Sequence, residues 1–188
     1  MTTRKGTETV SEDEQPGKAK PEKIPGLKPA FAKDGTITAA SSASISDGAA
    51  AVVMTRESVA RALGLPIVAR IVSHSAHAHE PGLFTTAPVP AMQKALKKAG
   101  WSAEDVDLWE INEAFAVVPM IAMQELGIEH GKVNVNGGAT ALGHPIGASG
   151  ARVLATLLAA LQARGGKKGV ASLCIGGGEA VALAVELA

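Results

Sequence analysis

The distribution of apolar positions divides the chain near residue 35. Residues 1–34 mix Lys and Glu with Pro16, Pro21, Pro25 and Pro29 and show no period. Prolines at this density favour extended backbone, so the segment is expected to be a flexible tail or an arm lying on something outside the chain. Beyond it, runs characteristic of layered α/β folds begin. Thr36–Ala40 reads as a short strand and is followed by small residues, Ser41 to Ser44. Gly48–Met54 (GAAAVVM) reads as a buried strand. A helix is expected from a Thr55 cap to about Leu63, stopped by Gly64-Leu65-Pro66, with a strand over Ile67–Ser73. His74–Pro88 has no period and reads as a loop.

In Val89–Ala99, Met92, Leu96 and Ala99 share one helical face, while Lys94, Lys97 and Lys98 lie largely on the other. Gly100 ends that helix. Ser102–Asp105 matches a capping signature, but no long periodic run follows. Leu108–Ile111 reads as a short strand, Glu113 to about Leu126 as a helix kinked at Pro119, and Val133–Val135 as strand-like. Ala148 to about Arg164 is apolar almost all round, the pattern of a helix buried between layers. Lys168–Cys174 and Glu179–Leu187 read as two strands joined across Gly176-Gly177-Gly178, a hairpin turn. The expected architecture is α/β, with a mixed sheet and one buried helix.

Composition narrows the choices. Formal net charge is zero and tyrosine is absent, which leaves no basic surface or aromatic platform for nucleic acid. No apolar run approaches the ~20 residues that span a bilayer, and the N-terminus has no signal-like apolar stretch. A single cysteine rules out an intrachain disulfide. A cytoplasmic protein is expected. His74, His77 and His79 form H-x2-H-x-H without a neighbouring cysteine, and this pattern reads as a solvated loop; no metal is expected. Neither a phosphate-binding loop nor a dinucleotide fingerprint is present.

Four segments can carry chemistry. In Gly143-His144-Pro145-Ile146-Gly147, a histidine sits at the entry to the apolar helix, where it can exchange protons or donate to developing negative charge, or can merely cap the helix. Cys174 ends an apolar strand before a glycine turn. It is either a small buried hydrophobe or a thiol beside free backbone donors. Asn112 is either a helix cap or an amide that holds a water or carbonyl. Asn134-Val135-Asn136-Gly137-Gly138 is the fourth.

Together these segments resemble the thiolase family. NEAF at Asn112–Phe115, NVNGGATALGHPIGASGAR at Asn134–Arg152 and CIGGG at Cys174–Gly178 follow the family order and spacing, and SISDGAAAVV at Ser44–Val53 also fits. The resemblance implies that residues 35–188 form a thiolase C-terminal domain, with a mixed five-stranded sheet and helices on both faces. Residues 1–34 would be the end of the loop domain over the coenzyme A site. It further implies His144, Cys174 and Asn112 as catalytic, His144 and Gly176 as oxyanion-hole members, and Phe84 and Phe115 along the acyl pocket. Ser42 and Ala43 would stand at the coenzyme A contact, where many members carry serine at the position of Ala43.

The implied activity is acyl-CoA C-acyltransfer between acetyl-CoA and 3-ketoacyl-CoA. Coenzyme A thioesters would be substrates and no cofactor would be needed. The family's nucleophilic cysteine has no counterpart here, so either a separate N-terminal half or a homo-oligomer is implied as partner. A non-catalytic acyl-CoA-binding module is the alternative. The resemblance also implies that the 148–164 helix packs on a counterpart in the other half, and should leave an apolar face open without it.

Overall fold

The computed structural model describes residues 2, 3, 6, 7 and 9–188. The N-terminal part is not uniformly extended. Two short strands, β1 (Thr2–Thr3) and β2 (Gly6–Thr7), pair antiparallel. A one-turn helix α1 (Glu14–Lys18) and a 3-10 turn over Pro21–Gly26 follow. Pro21 opens that turn at a position whose N–H would be unpaired in any case, so proline is tolerated there.

The remaining chain builds one sheet of four strands in the order β3-β6-β5-β4, with β3 at Ala69–Ala78, β4 at Leu108–Ile111, β5 at Lys168–Ile175 and β6 at Glu179–Leu187. The pairs β3–β6 and β5–β6 are antiparallel and β4–β5 is parallel, so the sheet is mixed. The expected fifth strand does not form. Residues 48–54 are exposed coil, with Val53 95% exposed. An apolar run becomes a strand only where its N–H and C=O groups find a ladder, and among the described residues none pairs with it. Thr36–Ala40 is likewise not a strand; a 3-10 turn occupies Ala39–Ser41.

In the other direction, β3 runs five residues past the expected end. His74 to Ala78 pair with Leu183 back to Glu179, so ladder bonds override the absence of apolar alternation. A 3-10 turn over Pro81–Thr86 replaces the rest of the expected loop. The helix α2 (Glu57–Ala62) is shorter than expected and its cap position is Arg56, with no side-chain cap from Thr55.

Helices cover both faces. On one, α3 (Pro88–Ala99) and α4 (Val117–Leu126) bury Met92, Ala95, Leu96, Val118 and Ala122 against Trp109, Ile111, Val170 and Ala182. Full burial of a side chain such as Met92 stabilises by about 1.5–3 kcal/mol. Pro119 stands third in α4, where its missing N–H is one that no intrahelical carbonyl would receive, and so it does not interrupt the helix. Helix α4 starts at Val117, after residues 114–116 have paired with the 41–43 segment through Ala43 N–H to Ala114 O (3.1 Å) and Ala116 N–H to Ser41 O (2.9 Å).

On the other face, α6 (Ser149–Arg164) packs Val153, Leu157 and Leu161 onto Leu108, Ala171 and Val185. Its burial is one-sided. Leu154 and Leu158 are only half-buried and, with Val52, Val53, Met54 and Ile71, line an apolar groove of about 440 Å³. Two local features fix opposite ends of these strands. Asp107 Oδ2 accepts from the N–H groups of Lys167 and Lys168 (2.7 and 2.9 Å), locking the start of β4 to β5. Gly178 closes the β5–β6 turn at φ +97°, where a Cβ would overlap the His79 carbonyl.

Candidate acid–base site

The site forms at the C-terminal ends of the parallel pair β4 and β5, where α6 enters the fold. Asn112 follows β4 directly, and its N–H donates to Ser172 O (2.9 Å), extending the β4–β5 ladder by one step. The Asn112 side chain is buried at 1% exposure. Asn134, at φ +46°, stands in for a strand neighbour: its Oδ1 accepts from Ile111 N–H and its Nδ2 donates to Ile111 O, both at 2.8 Å. Glu113 accepts from Asn134 Nδ2 (2.7 Å) and from the N–H of Thr140 (3.1 Å), tying the 112–115 loop to the short helix α5 (Ala139–Leu142).

His144 enters from the opposite side. Gly143 adopts φ +90°, and a Cβ there would overlap the Ser46 hydroxyl, so glycine permits the chain to pass. The His144 N–H donates to Ser44 O (2.8 Å), and Pro145 O accepts from Ala148 and Ser149 as α6 begins. The half-buried imidazole is then held at both nitrogens: Nε2 lies 3.3 Å from Asn112 Nδ2, and Nδ1 lies 2.6 Å from Ser149 Oγ. Burial, reinforced by the charge of Arg152, pulls the His144 pKa below 6.5, which favours a neutral imidazole.

Cys174 stands near the end of β5, beside this pair in the sheet. Its side chain packs with the α3–α4 cluster, whereas Asn112 and His144 lie on the α6 side. No hydrogen bond joins Cys174 to either of them among the described residues. Burial pushes its thiol pKa up. Beyond it, Gly176 is exposed, and a Cβ there would meet nothing within 4 Å, so the turn is unobstructed at that position.

The three phenylalanines of the chain converge. Phe115 meets Phe84 at 6.0 Å and Phe31 at 5.7 Å between ring centroids, both edge-on. Ser42 bridges to Phe115 through the backbone, and its hydroxyl donates back to Thr38 O (2.8 Å); Ala43 lies beside Ala114. Of the three histidines read as a solvated loop, His74 and His77 lie on β3. His77 Nε2 is 3.3 Å from His79 Nδ1, and Lys94 Nζ lies 2.9 Å from His77 Nδ1. No group of three metal-ligating side chains occurs among the described residues, and no helix there is long and apolar enough to cross a membrane.

Sequence reasoning missed Ser149, Glu110, Arg152 and Phe31. Glu110 is 2% exposed, with Oε2 3.6 Å from Arg152 Nη1, while Arg152 Nη2 reaches Asn112 Oδ1 at 3.5 Å. Burial raises the Glu110 pKa to about 7; Arg152 opposes the shift and Glu113 adds to it. A carboxylate inside an apolar four-residue strand and a lone cation in the first turns of an apolar helix were the available signals.

One α/β domain thus carries an imidazole braced by an amide and a hydroxyl, a thiol near an exposed glycine turn and a cluster of three phenylalanines. The family model described as thiolase, C-terminal domain matches residues 65–187, and that described as thiolase, N-terminal domain matches residues 1–58. An acetyl-CoA acetyltransferase of Yarrowia lipolytica is 52% identical over 98% of this chain and 46% of its own length. The crystal structure of the Bacillus anthracis acetyl-CoA acetyltransferase superposes with a TM-score of 0.92 at 45% identity, over 100% of this chain and 48% of that one. That of human mitochondrial 3-ketoacyl-CoA thiolase in complex with CoA gives 0.84 at 41% identity, over 91% and 43%. The chain belongs to the thiolase family, and it spans about half the length of these relatives.

Proposed function

We propose that the chain carries the acid–base and oxyanion half of an acyl-CoA C-acyltransferase site, acting between acetyl-CoA and a 3-ketoacyl-CoA by Claisen chemistry. The observation that carries this reading is the His144 imidazole, neutral and braced between Asn112 and Ser149 at the strand ends that also present Cys174 and Gly176. Claisen chemistry on a thioester needs a base, a proton donor at the α-carbon and donors facing the developing oxyanion.

His144 takes the proton of a nucleophilic thiol and then lends its N–H to the first oxyanion, where Asn112 positions a water. Cys174 removes the α-proton of acetyl-CoA in condensation and returns a proton in cleavage. The Gly176 N–H serves the second oxyanion. Phe84 and Phe115 line the acyl pocket, joined by Phe31 from the N-terminal segment. Ser42 and Ala43 border the coenzyme A site under residues 1–34, which stand as the end of the loop domain. Ser42 contributes chiefly backbone there, because its hydroxyl is engaged with Thr38 O.

The raised pKa of Cys174 and its lack of a bond to His144 favour a thiol that exchanges protons over one that stands ready as a thiolate nucleophile. It is the single cysteine of the sequence, so on this reading the nucleophile comes from a thiolase N-terminal half, and the chain alone does not complete the two-cysteine cycle. Coenzyme A complexes of the human enzyme and of the Ascaris suum Acat5 thiolase support the ligand class.

The test is complementation. The chain is combined with a separately produced thiolase N-terminal half that bears its cysteine, and thiolysis of acetoacetyl-CoA is followed. Activity is expected, falling by about 10²–10⁴-fold in His144→Ala. A well-folded complex without thiolysis contradicts the reading; acetyl-CoA binding by calorimetry in such a complex would establish the non-catalytic module instead.

A further inference from the structure

We propose that Arg152, anchored on the buried carboxylate of Glu110, is a positioning residue that orients the Asn112 amide and thereby holds His144 as the Nδ1–H tautomer. Chemical complementarity along one line of contacts carries the inference. A guanidinium only donates. With Arg152 Nη2 3.5 Å from one end of the Asn112 amide, that end must be the oxygen, since an amide turned the other way would set donor against donor. The amide nitrogen is then the end that faces His144, 3.3 Å from Nε2. An amide nitrogen also only donates, so Nε2 must accept and carries no proton. The proton of the neutral ring sits on Nδ1 and donates to Ser149 Oγ at 2.6 Å, and the Ser149 hydroxyl passes its own proton to Pro145 O at 3.0 Å.

Every bond in this chain points the same way, from Arg152 to the Pro145 carbonyl; both ends are fixed in role, but Pro145 O already accepts from the Ala148 and Ser149 N–H groups and does not compel the Ser149 hydroxyl, so the direction is set from Arg152. Asn112, His144 and Ser149 can each be turned around. Glu110 supplies the fixed end: its Oε2 lies 3.6 Å from Arg152 Nη1, the pair is 2% and 19% exposed, and this helix carries no other cation before Arg164. Such an anchored cation, bonded to the Asn112 amide rather than to His144 or Cys174, accounts for a buried ion pair between α6 and β4 beside the site. The outcome is an unprotonated Nε2, whose single lone pair accepts from the Asn112 amide at 3.3 Å here and becomes a base when a thiol proton displaces that contact; the catalytic meaning of the inference rests on the proposed function, but the tautomer does not.

The experiment reads the tautomer directly. The full chain is labelled with ¹⁵N, the His144 ring is assigned by loss of its signals in His144→Gln, and two-bond proton–nitrogen correlations are recorded well above the ring's titration. The wild-type chain is expected to show a protonated Nδ1 and an acceptor-type Nε2. In Arg152→Gln, whose amide can present either end, the two nitrogen signals are expected to converge toward those of a tautomer mixture. Arg152→Lys, which keeps an obligate donor, is expected to restore the wild-type pattern.

A protonated Nε2 in the wild-type chain overturns the proposal, as does an unchanged pattern in a folded Arg152→Gln. If neither variant folds, the wild-type spectrum alone decides. Turnover is not the readout, so the two claims fail separately. An Nδ1–H ring in a complemented enzyme without thiolysis removes the proposed function, and an Nε2–H ring in an active one removes the role of Arg152.

Discussion

The two faces of the sheet are built from similar residues and end in different states. Beneath α3 and α4, Met92 and Ala95 are fully buried and Trp109 is 1% exposed, in a cluster closed on every side by this chain. Across the sheet, α6 closes its inner side only. Its outer side, with the 48–54 segment and Ile71, leaves an apolar groove in which Met54 is 67% exposed. Apolar character alone therefore does not decide burial; a second layer has to be present to receive it. The candidate site straddles the two faces: Cys174 belongs to the closed one, and Asn112 and His144 to the one that is partly open.

The largest expected effect breaks this comparison at the core. Met92→Ala should lower stability by about 2–5 kcal/mol, whereas Val53→Ala should change it by no more than about 0.5 kcal/mol. Urea unfolding of the two variants gives the contrast, and equal losses would mean that residues 48–54 are packed in solution.

Next comes the buried carboxylate under the open face. The Glu110 pKa is raised from 4.5 to about 7, so the folded state holds a proton that the unfolded state releases. Stability from this group is complete below 4.5, falls as pH rises toward 7 and is flat above it, a change of about 3 kcal/mol at most. The difference between wild type and Glu110→Gln across that window isolates the slope, because the other carboxylates cancel.

A smaller effect, about 1–3 kcal/mol, is expected for Gly178→Ala, which forces a left-handed residue against the His79 carbonyl. Gly176→Ala, two residues away in open space, should be nearly neutral in the same thermal melts. Smallest in stability but visible in association is Met54→Lys. It should lower the apparent mass by light scattering and the binding of an apolar dye, with stability altered by about 0.5 kcal/mol or less. Unchanged scattering would show that the groove does not drive self-association.

The closed face was the legible one. The Met92–Leu96 stripe follows the helical period, β4 and half of β5 are continuous buried runs, and their partners are in the chain, so pattern and packing agree. The 48–54 segment reads as a strand because it is apolar, yet a strand is a property of two chain segments and only one was visible. The extension of β3 through His74 to Ala78 was illegible for the reverse reason: its polar residues pair with β6, and pairing leaves no mark in their periodicity.

Asn112, His144 and Cys174 stood out as candidates in their motifs; the fold joins the first two and sets Cys174 on the other face of the sheet. Ser149 acts from the first residue of α6, Arg152 from about one turn further in, and Glu110 from two residues before Asn112. Only the fold shows that Ser149 meets the imidazole, that Arg152 meets the amide and that Glu110 stands behind Arg152.

The claim that this chain by itself builds a neutral base is tested most directly by titrating His144 in the labelled, unliganded chain by nuclear magnetic resonance. Burial and the Arg152 charge place its midpoint below 6.5, so the folded ring stays neutral at 6.5 while the unfolded one begins to charge, and the stability this group contributes is lost as pH falls from 6.5 through the folded midpoint. A midpoint below 6.5 that rises in Arg152→Gln is the predicted result; a midpoint at or above 6.5 in the wild-type chain would contradict the account.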